Sequence, residues 1–226
     1  MHARTHPEKT APNVLALPGS LRRRSFNRSL LEAAATLAAP GMRVQLYDQL
    51  AAVPLFSEDV EAAGVPEGVQ HLREQVGGAD ALLIATPEYN QSMPGVLKNA
   101  IDWLSRPPDE VLAGKPVAII GASAGRWGTR LAQSHLRHVL YATEALVMPQ
   151  PSLFVAGAGE LFDGDGHLVD LTWGPSIGVW QIRSRHADFG TGRPRDASRL
   201  IDPAFNARAA YAISGGGTDW SAWTCR

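Results

Sequence analysis

The sequence lacks most of what would point away from an ordinary globular protein. A single cysteine, Cys225, excludes an intramolecular disulfide and any cysteine-cluster metal site. Charge of one sign is missing too: 21 Lys and Arg face 22 Asp and Glu, leaving a formal net charge of −1. No field then draws in a polyanion, and nucleic-acid binding is not expected. No apolar run approaches the roughly 18 residues of a membrane helix, so no membrane association is expected. The first twelve residues hold no apolar stretch suited to a secretory signal, and the expected location is the cytoplasm. Lysine occurs only at Lys9, Lys98 and Lys115, and glutamate is absent after Glu160. By contrast, four of the six tryptophans (Trp173, Trp180, Trp220 and Trp223) crowd into the end of the chain. What is present is enough for a core: 226 residues, 45% of them hydrophobic, suit one domain of about 150–200 residues with an appendage.

The compositional break falls near residue 165, in the run Asp163-Gly164-Asp165-Gly166. The expected organisation is therefore a disordered N-terminus over residues 1–11, one domain over 12–168, and a C-terminal extension over 169–226. The Gly215-Gly216-Gly217 end is expected to be disordered as well.

Within 12–168 the pattern alternates. Short apolar runs at 14–17, 81–85, 117–120 and 145–147 read as buried strands, and 43–47 alternates like an edge strand. Amphipathic stretches at 27–39, 66–76, 94–104 and 127–142 read as helices, the first stopped by Pro40-Gly41. Strand and helix in regular alternation predict an α/β fold: a parallel five-stranded sheet with helices on both faces. The leading order is 2-1-3-4-5, in which ligands sit outside the carboxyl ends of the strands.

Three segments occupy such positions. The first, GSLRRRSFN from Gly19 to Asn27, runs into a helix. Hydroxyls of Ser20 and Ser25, the Asn27 amide, the Arg22 guanidinium and free backbone N–H groups converge there, which is what a phosphate needs. The plainer alternative is a capped helix start with a solvated arginine run. The spacing G-x-x-x-x-G-K-[ST] is absent, which disfavours a nucleoside triphosphatase. The second, PEYNQSMPGVLKNAIDW from Pro87 to Trp103, offers Tyr89, Asn90 and backbone amides on which a flat conjugated ring can stack, Pro94 opening the next helix. A connector rich in turn formers is the alternative. The third, GASAGRWGT from Gly121 to Thr129, lacks G-x-G-x-x-G but lets a ligand approach the backbone.

In their order and spacing these three motifs resemble the NAD(P)H-dependent FMN reductases, which include quinone and chromate reductases of flavodoxin-like fold. The resemblance covers roughly residues 12–168. It implies that Ser20, Arg22, Ser25 and Asn27 hold the FMN phosphate. It implies likewise that Pro87, Glu88, Tyr89, Asn90 and Ser92 cradle the isoalloxazine ring, with Ser123, Gly125 and Arg126 beside it. It further implies NADPH or NADH as co-substrate and a small-molecule electron acceptor such as a quinone, free flavin or oxidised metal ion. The assembly it implies is a homodimer or homotetramer. The cofactor carries the chemistry, so no catalytic acid or base is named. A flavin-binding protein without efficient turnover is the alternative function, with cell-wall glycan binding or cleavage through the C-terminal tail the more remote one.

After Phe162-Asp163-Gly164-Asp165-Gly166 the chain departs from that family. Gly178-Val179-Trp180-Gln181-Ile182, and Asp202-Pro203 followed by Asn206, resemble the C-terminal half of a lysozyme-like lytic transglycosylase domain. That family keeps its catalytic glutamate upstream of the W-Q-I segment, where this chain carries reductase sequence, so glycan cleavage is not expected. Asp202, Pro203 and the stripe Phe205, Ala209, Ala212 and Ile213 also read as a capped amphipathic helix over 202–214 that covers the sheet. His135 and His138 are read as an exposed or packed pair rather than metal ligands, and the Asp163–Gly166 run as a turn rather than a calcium loop. Arg22-Arg23-Arg24 has no interleaved aromatics and is read as phosphate-binding and solvated, not as an RNA contact.

Overall fold

The computed structural model describes residues 11–162, together with two short paired strands at Ser176–Ile177 and Ile182–Arg183. The helix expected over 202–214, the turn at 163–166 and most of the lysozyme-like segment lie outside the described residues.

Strands β1 (Asn13–Pro18), β2 (Arg43–Leu46), β3 (Ala81–Ala85) and β4 (Pro116–Ala122) run parallel, and the sheet order is β2-β1-β3-β4-β5. The expected doubly wound order is thus present. The fifth position differs from the expectation of one strand at 145–147. It consists of β5 (Leu146–Val147) against the start of β4 and β6 (Leu153–Val155) against its end. Pro149 and Pro151 stand between the two, and proline cannot donate to a ladder, so the strand splits.

Helices α1 (Phe26–Thr36), α2 (Glu58–Ala63), α3 (Glu67–Gly78), α4 (Gly95–Leu104), α5 (Arg130–Tyr141) and α6 (Ala158–Leu161) complete the layers. On one face Leu15, Leu17, Leu82, Ile84, Val117 and Ile119 of the central strands pack with Leu72, Leu97, Trp103 and Leu136 of α3, α4 and α5. On the other, Ala16 and Ala85 meet Leu31 of α1, while Ala122 meets Leu30, Ala158 and Phe162. The inner strands are apolar on both sides because both sides are covered.

Part of the second motif builds the fold rather than a site. Asn99 and Trp103 are one helical turn apart on α4. The Asn99 Oδ1 accepts from Phe56 N at 2.7 Å, its Nδ2 donates to Pro54 O at 2.9 Å, and Trp103 Nε1 donates to the same oxygen at 2.8 Å. They fasten the stretch before α2, a helix that the apolar pattern did not announce because none of its residues is buried. Helix α5 starts at Arg130 rather than 127, since Gly128 takes a left-handed turn at φ 64° and Thr129 becomes the cap position.

Candidate functional site

The loops after β1, β3 and β4 lie side by side at the carboxyl edge of the sheet. Two close approaches make this possible. Gly19 N donates to Ala85 O at 2.8 Å, which draws the first loop onto the end of β3. A Cβ at Gly121 would stand 1.9 Å from Thr129 Oγ1 and 2.5 Å from Thr86 O, so only glycine fits where the second and third loops cross.

The first loop delivers its residues to the start of α1. Ser25, nearly fully buried, is the N-cap, and its Oγ lies 3.5 Å from Arg28 N. Helix geometry leaves the N–H groups of Phe26 and Asn27 without intrahelical acceptors, and no other described residue takes them up. Ser20 Oγ accepts from Arg22 N at 3.3 Å and stands 3.5 Å from the Tyr89 hydroxyl. The Arg22 guanidinium is exposed and lies over the Phe26 ring, 5.1 Å from its centroid. Anion chemistry therefore gathers at this helix end: two hydroxyls, two free amides, one exposed cation and the positive end of the helix dipole. Asn27 has a different employment. Its Nδ2 donates to Ala122 O and its Oδ1 accepts from Ala122 N, both at 2.9 Å, so the side-chain amide is spent tying α1 to the end of β4.

The second loop closes on a tight turn. Tyr89 N donates to Ser92 O at 2.9 Å and Ser92 N returns to Tyr89 O at 3.0 Å, with Asn90 at φ 49° and Gln91 at φ 63°. Two consecutive left-handed residues make a mirror-image turn, and for non-glycine residues each costs about 1–2 kcal/mol. The N–H groups of Glu88, Asn90 and Gln91 bond to no other described residue. Pro87 is buried, its carbonyl accepting from Thr86 Oγ1 at 2.8 Å, whereas Tyr89 and Asn90 are exposed.

Neither flank of this turn is free. The Glu88 carboxylate accepts through Oε2 from Leu131 N at 2.9 Å and from Ala132 N at 3.0 Å, the first turn of α5. Ser92 Oγ stands 3.0 Å from His135 Nδ1, one turn further along the same helix. His135, considered from sequence only as half of a histidine pair, thus belongs to the surroundings of the second loop. Periodicity alone gave no signal for that contact.

The third loop is folded on itself. Ser123 Oγ donates to Gly128 O at 2.7 Å, and Gly157 N, just before α6, donates to Gly125 O at 3.2 Å. Gly125 is exposed, with only Ser123 Oγ near the place of a Cβ, at 3.7 Å. Arg126 is exposed and lies over the Trp127 ring at 4.7 Å. The twelve residues expected from sequence therefore come to one edge, ten on the loops themselves and Ser25 and Asn27 at the start of α1.

Comparison with known proteins accords with this edge. A model of the family described as NADPH-dependent FMN reductase matches residues 12–160. A model described as a lysozyme-like domain matches residues 155–225. An NAD(P)H-dependent FMN reductase of Pseudomonas aeruginosa is 51% identical over 157 residues, covering 70% of this chain and 84% of its own length. A 2-hydroxy-1,4-benzoquinone reductase of a Burkholderia species is 44% identical over 160 residues, covering 70% of this chain and 86% of its own. Among solved structures, the flavoenzyme NAD(P)H:(acceptor) oxidoreductase FerB of Paracoccus denitrificans superposes with a TM-score of 0.65 at 28% identity. That match covers 90% of this chain and 98% of FerB.

Proposed function

The chain belongs to the NADPH-dependent FMN reductase family and is an FMN-dependent oxidoreductase using NAD(P)H; we propose that its acceptor is a small molecule of the quinone class. The names of its relatives from Burkholderia and Escherichia coli, both quinone reductases, support that class.

The donor set at the sheet edge fits FMN. A phosphate dianion suits the α1 start, where Ser20, Ser25, Arg22 and the Phe26 and Asn27 N–H groups offer donors with no competing carboxylate on the loop. A planar ring with polar edges suits the second loop, whose unspent N–H groups at Glu88, Asn90 and Gln91 can read those edges. Bound there, FMN would supply the hydride and electron-transfer chemistry between the nicotinamide and the acceptor. What the chain does is hold and orient. Ser20, Arg22 and Ser25 anchor the phosphate, with Asn27 fixing their helix against β4. Pro87, Glu88, Tyr89, Asn90 and Ser92 shape the ring surface, and Ser123, Gly125 and Arg126 border it.

The observation that carries this reading is the pairing of an anion-binding helix start with a loop of unspent amides on one sheet edge. Purified protein mixed with FMN should retain the flavin through gel filtration and then oxidise NADPH with a benzoquinone as acceptor. Absence of bound flavin would overturn the cofactor site. Bound flavin without quinone-dependent turnover would leave a flavin-binding protein instead.

Residues 12–168 are read as the reductase unit, working in the cytoplasm as a homodimer or homotetramer. Among the described residues no helix is long and apolar enough to cross a membrane. Tyr89, Trp127 and Leu131, exposed at 52%, 56% and 44%, supply apolar surface at the loops that a second copy would cover. Light scattering after gel filtration measures the assembly directly. The extension 169–226 is read as a lysozyme-like remnant without glycan cleavage, because the segment upstream of Trp180-Gln181-Ile182, where that family keeps its catalytic glutamate, is reductase sequence through residue 160 and carries no glutamate beyond it.

A further inference from the structure

The cap of α5 is supplied from outside the helix. Thr129 occupies the N-cap position, yet its side chain caps nothing: its Oγ1 accepts from Gln133 Nε2 at 3.0 Å. The orphan N–H groups of Leu131 and Ala132 go instead to Glu88, 43 residues earlier and immediately before the left-handed turn. Immediately after that turn, Ser92 meets His135 of the same helix at 3.0 Å. Asn90 and Gln91, the turn's own two non-glycine residues at positive φ, are exposed between these two attachments. Strained backbone of this kind persists only where its surroundings over-determine it.

We propose that Glu88 is a positioning residue whose carboxylate, with the Ser92–His135 contact as its second point, clamps the second loop onto α5 and so sets the shape of the turn presented to the flavin ring. The inference rests on the reading that this loop receives the isoalloxazine. It assigns the Glu88 side chain to the helix and leaves only its backbone to the cofactor. Ring affinity then depends on a group that never touches the ring.

Three variants and two measurements test this: Glu88→Ala, Glu88→Gln, which keeps one acceptor oxygen, and Arg106→Ala, which breaks a remote ion pair with Glu61 and controls for general loss of stability. Hydrogen exchange on the apoprotein reads the clamp without any flavin. Glu88→Ala should speed exchange of the Tyr89 and Ser92 amides about tenfold, with Glu88→Gln restoring much of the protection and Arg106→Ala leaving it as it was. Binding is then measured with FMN and with riboflavin, which has the ring but no phosphate. Glu88→Ala should weaken both by a similar factor of about ten. Unchanged exchange at the turn overturns the clamp. Faster exchange with unchanged riboflavin affinity, or a loss confined to FMN, overturns the positioning role. If the wild-type protein binds no flavin while the exchange difference is present, the cofactor reading fails and the clamp stands.

Discussion

Arg22 is the side chain on which the anion reading turns, because it is the one cation of the first loop stacked beside the helix start rather than simply solvated. Replacing it with alanine removes a charge-assisted contact to the phosphate and should weaken FMN binding by about 1.5–3 kcal/mol, while riboflavin affinity stays level. Flavin fluorescence titration of the apoprotein measures both. Gly121 sits under a different constraint, one of space. A methyl there meets a backbone carbonyl, Thr86 O, at 2.5 Å as well as the Thr129 side chain, and neither can withdraw without dislodging a loop. Gly121→Ala should cost about 1–3 kcal/mol of stability and lower the flavin retained on purification. Thermal melts of apo and FMN-loaded protein separate the two losses.

At the scale of elements, the periodic strands and helices were legible from sequence, and so was the edge on which the loops gather. Burial on both faces writes a continuous apolar run at 81–85, and the structure gives β3 those same limits. What the pattern could not carry was the partnership between polar side chains far apart in sequence. Asn27 and Ala122 are 95 residues apart, Glu88 and Leu131 are 43, and no local periodicity encodes either pair. Helix α2 escaped notice because no residue of it is buried, and it is held instead from outside. Arg106, just past α4, grips its Glu61 with Nε and Nη2 donating to the carboxylate at 2.8–3.1 Å. This guanidinium holds the Glu61 carboxyl below its ordinary value, chiefly through the side-chain hydrogen bond. A depressed carboxyl stabilises the fold above the ordinary carboxylate range and loses that contribution as pH falls through its folded value. Glu61→Gln should therefore lower the denaturant midpoint at about pH 7, and the gap to the wild type should narrow at an acid pH below the ordinary carboxylate range. Urea titrations of both proteins at the two pH values check it.

For the whole molecule the question is how the extension relates to the sheet. On the α1 face the described helices are α1 and the four-residue α6, which leaves that face thinly covered compared with the side of α3, α4 and α5. A helix over 202–214, expected from its cap and apolar stripe, would add Phe205 and Ile213 to that cover, at about 1.5–3 kcal/mol for each side chain buried. Truncation after residue 168 is therefore expected to lower the melting temperature and to increase binding of a hydrophobic dye, with FMN retained. Limited proteolysis of the intact protein gives the contrary outcome its chance. Rapid cutting at Arg185, Arg193, Arg195 and Arg208 without loss of flavin would show that the extension does not dock.

Strand β6 has a bearing on how such a chain could arise. Ser123 N donates to Val155 O at 2.9 Å, Ala158 N donates to Ser123 O at 3.0 Å, and the lysozyme-like match begins at that same Val155. A junction placed upstream of this strand would strip the third loop of both contacts. A junction downstream of α6 would leave both of these contacts in place. Anyone exchanging the extension for another module has the same window: a graft made after Phe162 inherits a finished sheet edge, and one made at the homology boundary inherits a broken one.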